Sequence, residues 1–292
     1  MSSRSRLLGF AALCGLAPAA CDSDPAGPAA PTATRLVRTI DYGGIVAGKQ
    51  RGTYAYDDAG RFVRFDLEWL DELANPADPP IRHSYYSLHE YEGDRRVGGE
   101  VFILRDGVGF VRSRRWDLEF DAAGRVTRAV HTSLLAHDFS PVHQVSTRDF
   151  LYDAEGRIIE VSEPGGGRWT LEYGPGGDLV RESLHTFEGT VIRFDHTFDD
   201  GRNPYYELIA GQGGWDGLVI VVAPWALFYS PRNVVRTEIT VEGREGIVSV
   251  RTVDIQEYTP EGYPRRWVQE LKNTADPDGS VFVGEFEYEG GG

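Results

Sequence analysis

The segment Tyr56-Asp57-Asp58-Ala59-Gly60-Arg61 recurs along this chain. Close copies occupy residues 120–125 (FDAAGR) and 152–157 (YDAEGR). In such a segment Asp favours the start of a tight turn, Gly supplies a positive φ, and the aromatic residue can be buried at the end of a strand. The repeat therefore predicts β-hairpins and indicates no particular reaction. The residues predicted to shape these turns are Asp57, Gly60, Arg61, Asp121, Gly124, Arg125, Asp153, Gly156 and Arg157.

The segments around the repeats alternate apolar and polar residues. Clear examples are residues 63–69, 116–120, 169–173, 235–242 and 282–288. A period of two is typical of half-buried strands. The runs between turn signals predict about 16 strands. Because most connections are short, neighbouring strands are expected to pair antiparallel.

We therefore predict an all-β fold, an antiparallel meander in a strongly curled sheet. A sheet of this width folds into two layers, forms a partial shell or closes into a barrel, and the sequence leaves these alternatives open. Residues 204–232 break the alternation and contain the apolar run Leu218 to Phe228. This stretch predicts a short helical or irregular crossing that caps an open end of the sheet.

The spacing of the aromatic residues predicts a hairpin repeat of about 21 residues with longer insertions. The positions used for this spacing are Tyr56, Phe120, Tyr152, Tyr173, Phe194 and Tyr258. Two of these copies have lost the Asp, because Tyr173 is followed by Gly174 and Tyr258 by Thr259. Such repeats bury one another's faces, so residues 36–292 are predicted to form a single domain.

The N-terminus has the features of an export signal. A short basic stretch with Arg4 and Arg6 precedes the apolar run Leu7 to Leu16, which is too short to span a bilayer. Residues 1–20 are therefore predicted to be a signal peptide. Residues 21–35 are rich in Pro, Ala and Asp, and they predict a flexible tether.

The signal ends in a segment that resembles a bacterial lipobox, Ala17-Pro18-Ala19-Ala20-Cys21. The resemblance implies a lipid attached to Cys21, although Pro18 stands where the lipobox pattern prefers Leu. The alternative is ordinary signal cleavage after Ala19 or Ala20, which would leave the chain without an anchor.

Composition excludes several classes of function. The formal net charge is −15, which disfavours binding to nucleic acid. The two cysteines, Cys14 and Cys21, both precede the predicted domain, which therefore has no disulfide and no thiol nucleophile. We expect no cofactor.

The candidate chemical motifs are weak. Histidines such as His131, His137 and His143 are six residues apart, too far along one strand to share a metal ion, and we expect them to face solvent. Asp276-Pro277-Asp278-Gly279 lacks the glycine and the helix of a calcium loop, so we interpret it as a turn. No nucleophile motif occurs, and most carboxylates stand opposite Arg on polar strand faces. We predict a protein without a metal site or catalytic residues.

The aromatic-Asp-x-x-Gly-Arg segment resembles the YD repeat of Rhs-type proteins and teneurins. The whole layout is similar to that of bacterial, mainly Bacteroidota, surface lipoproteins of unknown function, over most of residues 50–290. The further residues that carry this resemblance are Asp199, Asn203, Pro204, Tyr205, Ser230 and Asn233. The resemblance implies a β-fold and a cell-envelope location, but no reaction. Large Rhs arrays form encapsulating shells, and the few copies here predict a partial shell at most.

These observations favour a lipid-anchored envelope protein whose non-catalytic β-domain binds a glycan or a protein, or has a structural role. The membrane would be its partner through the N-terminal lipid. Two alternatives stay open at this point. One is a hydrolase that acts on an envelope polymer. The other is an outer-membrane β-barrel, for which about 16 antiparallel strands is a suggestive count.

Overall fold

The computed structural model describes residues 35–43, 49–69, 85–105, 107–135, 140–209, 226–274 and 276–289. The predicted signal peptide, Cys21 and the tether up to Thr34 lie outside these residues. Arg35, the last residue of the predicted tether, begins the first strand.

The described part of the chain contains sixteen strands and two short helices. The strands are β1 (Arg35–Gly43), β2 (Lys49–Tyr56), β3 (Phe62–Trp69), β4 (Tyr85–Glu92), β5 (Arg95–Arg105), β6 (Gly109–Phe120), β7 (Val126–Leu135), β8 (Pro141–Tyr152), β9 (Ile158–Ser162), β10 (Arg168–Tyr173), β11 (Leu179–His185), β12 (Val191–Arg202), β13 (Arg232–Val241), β14 (Ile247–Tyr258), β15 (Pro264–Asn273) and β16 (Ser280–Glu289). The helices α1 (Pro204–Ile209) and α2 (Ala226–Tyr229) stand between β12 and β13. Neither described helix is long and apolar enough to cross a membrane.

The strands form an antiparallel meander that closes on itself. Each strand pairs with its neighbours in sequence, and β1 pairs with β16 as well as β2. Thr39 lies opposite Phe286 at this closure. The all-β class, the strand number and the meander are therefore confirmed. The closed barrel replaces the two-layer and partial-shell alternatives, and the expectation that the chain forms a partial shell at most is wrong.

The buried face of the strands is the inner face of the barrel. A single apolar cluster joins residues from β3 to β13 with residues of both helices. Its strand members include Phe65, Trp116, Phe150 and Val161, and its helix members include Ala226. Strand positions between the buried ones carry charged residues, as the alternation predicts.

All connections that run from an even-numbered strand to the next strand lie at one end of the barrel, which we call the repeat end. Six hairpins at this end share a register shift immediately before the last aromatic residue of the first strand. These residues are Tyr56, Tyr91, Phe120, Tyr152, Tyr173 and Tyr258. The aromatic at the strand end is thus a feature of each of these turns, with or without the Asp.

One predicted repeat position is wrong. Phe194 lies inside β12 and pairs with Glu182 and Ile239, so it does not end a strand. The predicted crossing at 204–232 is helical at both of its described ends, in α1 and α2. Its central residues, 210–225, lie outside the described part of the chain.

Candidate functional site

The three full copies of the repeated segment form the same turn. In the first copy Asp57 N–H donates to Arg61 O at 3.0 Å and Gly60 N–H donates to Asp57 O at 2.8 Å. Gly60, Gly124 and Gly156 have φ values of 82°, 81° and 82°. A type I turn followed by a left-handed glycine is the usual way to close a hairpin with a bulge.

The Asp carboxylate also holds the Arg of each copy. Asp121 Oδ1 accepts the Arg125 backbone N–H at 2.9 Å, and its Oδ2 accepts the Arg125 Nε–H at 2.8 Å. Asp153 and Arg157 repeat the arrangement, as do Asp57 and Arg61. Hydrogen bonds from the Arg that follows help to hold the pKa of each of these carboxyl groups below its usual value.

Each of these arginines also contacts the following hairpin at the repeat end. The Arg125 guanidinium lies 5.0 Å from the ring centre of Tyr152, and the Arg157 guanidinium lies 4.8 Å from that of Tyr173. The Tyr152 hydroxyl in turn donates to Val126 O at 2.8 Å. Successive repeats are therefore joined by cation–π contacts and hydrogen bonds, and the turn residues lie together along one rim.

The residues of the wider resemblance meet around the helical pair. Asn203 Oδ1 accepts the Tyr205 N–H at the start of α1, and Asn203 Nδ2 donates to Leu227 O and Ser230 O. Ser230 Oγ accepts the Leu179 N–H, which fixes the end of α2 to β11. Asn233 Nδ2 donates to Asp199 Oδ1 at 3.2 Å. These side chains position the two helices at the repeat end.

A buried polar group attaches α2 to the barrel wall. Glu182 Oε1 accepts the Ala226 N–H at 2.6 Å and the His196 Nε2–H at 3.0 Å, and His196 Nδ1 is hydrogen-bonded to the Thr237 hydroxyl at 3.0 Å. The order hydroxyl, imidazole and carboxylate is that of a hydrolase triad. However, the side chains of His196 and Glu182 have no solvent exposure, so the group holds the helix and offers no surface to a substrate.

The helices and the repeat turns together enclose a cavity of about 370 Å³, which we call the tyrosine cavity. Four tyrosines line it: Tyr152 and Tyr173 from the hairpins, and Tyr206 and Tyr229 from the helices. Arg125 and Arg157 line it as well. Repeat turns 121–125 and 153–157 therefore contribute to this site, whereas the turn at 57–61 does not.

The tyrosine cavity has the chemistry of a binding site. Burial raises the pKa of Tyr152 to about 12 and also raises that of Tyr173, so both hydroxyls are neutral at physiological pH. Among the described residues that line it there is no carboxylate, histidine, serine or cysteine. The lining residues offer aromatic faces, hydroxyl groups and guanidinium donors, but no pair of groups for acid–base catalysis.

The histidines differ from expectation. His89 and His196 are buried, and the expectation that the histidines face solvent is wrong for both. Burial, with the nearby charge of Arg148, lowers the pKa of His131 to about 3, so this ring is neutral. His143 is exposed, and His137 lies outside the described residues. In the described part of the chain, no group of three or more His, Cys, Asp or Glu side chains could hold a metal ion.

Sequence reasoning identified the turn residues but not the tyrosine cavity. Tyr206 and Tyr229 lie in the stretch interpreted as a cap, 23 positions apart in the printed sequence. They meet the repeat only in three dimensions. The sequence feature that could have pointed to these two tyrosines is the interruption of the apolar–polar alternation at residues 204–232.

The chain carries an RHS repeat. The family model of this repeat matches residues 152–191, which run from the third copy of the segment to the start of β12. The resemblance to YD-repeat proteins is thus confirmed. A comparison with curated proteins finds no match.

Several solved structures are similar to this chain at low identity. A porin-like protein from Bacteroides uniformis is 12% identical, with a TM-score of 0.46, over 87% of this chain and 98% of that one. A porin-like protein from Bacteroides vulgatus is 8% identical, with a TM-score of 0.39, over 88% and 99%. A structure of TcdB2-TccC3 is 11% identical, with a TM-score of 0.26, over 80% of this chain and 12% of that one. Similarities this weak carry no function to the present chain.

Proposed function

We propose that this protein is a non-catalytic binding module of the bacterial cell envelope and that its tyrosine cavity holds a small saccharide. The observation that carries the proposal is the convergence of Tyr152, Tyr173, Tyr206 and Tyr229 on one cavity of about 370 Å³. A volume of this order is typical of small-molecule sites. Tyrosine rings offer flat apolar faces to the C–H side of a sugar, and hydroxyl and guanidinium groups can bond its hydroxyls.

The exposed strand faces carry charged residues, which favours an outer barrel surface in contact with water rather than lipid. Ion pairs cross between neighbouring strands there, such as Arg51 with Glu68 at 2.5 Å and Arg128 with Asp149 at 2.6 Å. A membrane barrel presents an outward apolar band, and an Arg facing the middle of a bilayer costs about 2–4 kcal/mol. The charged face therefore favours a tethered domain over the outer-membrane alternative. The proposed envelope location rests on the predicted N-terminal signal peptide and on the predicted lipid attachment at Cys21.

The test is a glycan-array screen of the purified full-length protein, followed by titration calorimetry with each saccharide that binds. Tyr206→Ala removes one wall of the cavity without changing a repeat turn. Its matched control is Phe187→Ala, which removes an aromatic ring that is 79% exposed on a turn at the opposite end. We expect Tyr206→Ala to weaken saccharide binding about tenfold or more, because the variant loses one aromatic stacking contact and one hydroxyl group. The control is expected to bind as the wild type does.

A further inference from the structure

A second cavity, which we call the Arg251 cavity, lies between the helical pair and strands β13 to β16. It has a volume of about 200 Å³, and none of the described residues that line it also lines the tyrosine cavity. Its walls are largely apolar and aromatic, with Tyr205 and Phe228 from the helices and Val253, Trp267 and Phe286 from the strands.

Arg251 is the one charged side chain among the described residues that line this cavity. The two asparagines of the lining are engaged within the fold, since Asn203 Nδ2 donates to Leu227 O and Asn233 Nδ2 donates to Asp199 Oδ1. Arg251 Nε donates to Gln269 Oε1 at 2.5 Å. Its Nη1 is buried and has no hydrogen-bond acceptor in the described part of the chain. A guanidinium donor is therefore left unused beside an apolar cavity.

A charged guanidinium donor without an acceptor, next to an apolar cavity, lowers the stability of the fold. Burial lowers the pKa of Arg251 to about 10, and the group still carries its charge at neutral pH. Arg251 is half-buried, and a guanidinium that loses water without gaining a counter-ion lowers the stability of a fold. Arg148, another arginine that burial affects, has Glu163 as its ion-pair partner. Arg251 has no ion-pair partner among the described residues, so an anion that enters the cavity would remove an existing penalty.

We propose that the Arg251 cavity binds a small monocarboxylate with an aromatic or aliphatic body. The carboxylate would pair with the Arg251 guanidinium, and the body would pack against Trp267 and Phe228. Arg and carboxylate groups match in plane and in donor–acceptor spacing. A phosphate is strongly hydrated and has no apolar part, so the apolar walls disfavour it. This site is separate from the proposed saccharide site.

The experiment is titration calorimetry of the full-length protein at pH 7 with three probes: benzoate, benzyl alcohol and inorganic phosphate. Wild-type protein is expected to bind benzoate, and to bind the neutral alcohol and phosphate about tenfold more weakly or worse. Arg251→Gln is expected to weaken benzoate binding by about tenfold or more. Arg236→Gln is the control, because it removes the same charge from an exposed arginine paired with Glu238 outside the cavity.

Val253→Phe gives an independent test if Arg251→Gln does not fold. It fills the cavity and keeps the arginine, so benzoate binding should again be lost, while Tyr206→Ala should leave it unchanged. The proposal is overturned if the wild type does not bind benzoate, if benzyl alcohol or phosphate binds as tightly, or if Arg251→Gln and Arg236→Gln bind benzoate equally. Retained binding in Val253→Phe would also overturn it.

Discussion

In each full copy of the repeated turn, one Asp carboxylate organises both the turn and the arginine that follows it. Asp121 bonds the backbone N–H groups of Ala123 and Arg125 and the Arg125 side chain. The same arginine then lies over Tyr152 of the next hairpin. The turn Asp therefore orients the Arg for its contact with the next repeat. This structural role explains why Asp and Arg recur together without a catalytic function for either.

Glycine at the fourth position of the turn is required by the backbone alone. Gly124 has a φ of 81°, and a Cβ placed there would meet no atom within 4 Å. We expect Gly124→Val to lower the free energy of unfolding by about 1–2 kcal/mol, because a β-branched residue adopts this conformation at a cost. Thermal unfolding followed by circular dichroism measures the change.

Gly124→Asn is the matched control for this prediction, because Asn tolerates the left-handed conformation better than Val. It should melt between the wild type and Gly124→Val. Equal melting temperatures for the wild type and Gly124→Val would refute the role assigned to the glycine.

Among the elements, the helical pair depends on contacts that the repeat does not supply. The Ala226 N–H at the start of α2 donates to Glu182 on β11, and Ser230 at its end accepts from Leu179. A helix this short is unstable by itself in water. Its position, and with it one wall of each cavity, therefore depends on these hydrogen bonds.

We expect Glu182→Ala to destabilise the protein by about 2–3 kcal/mol, because it leaves the Ala226 N–H and the buried His196 ring without an acceptor. Glu182→Gln retains an acceptor oxygen and should cost less. Denaturant unfolding gives both values. If the two variants were equally stable, the proposed attachment of α2 through this side chain would be wrong.

Local sequence patterns predicted some elements of the fold and not others. Alternation and turn residues predicted the strands, because both depend on neighbouring residues. Phe194 was misassigned because its spacing fitted the repeat. The turn before β12 has Thr186 in the place of the Asp and keeps the glycine as Gly189, and His185 stands where the aromatic residue would be. The burial of His196 depends on Glu182 and Thr237 on the flanking strands, and no local pattern reports such a contact.

For the molecule as a whole, closure of the sheet was the feature that the sequence left open. It depends on pairing between β1 and β16, whose paired residues Arg35 and Glu289 stand at the two ends of the described chain. The tyrosine cavity could not be predicted for the same reason, since it is formed by hairpin and helix residues that are distant in the sequence. Local signals fix the hairpins, and the long-range contacts fix the site.

The predicted lipid attachment at Cys21 can be tested on the whole molecule in the cell. We expect Cys21→Ser to move the protein from the membrane to the soluble fraction, because the charged outer face of the barrel provides no hold in lipid. Cys14→Ser is the control, since it changes the other cysteine of the chain and leaves the proposed lipid site intact. Fractionation followed by immunoblotting measures both. Continued membrane retention of processed Cys21→Ser would support the embedded barrel.

The proposed function depends on whether the tyrosine cavity binds a saccharide. The decisive measurement is calorimetric titration of full-length wild type, Tyr206→Ala and Phe187→Ala with a saccharide identified on the array. The proposal predicts binding by the wild type and by Phe187→Ala, and binding about tenfold weaker or worse by Tyr206→Ala. Equal affinity in all three proteins, or no saccharide bound by the wild type, would contradict it.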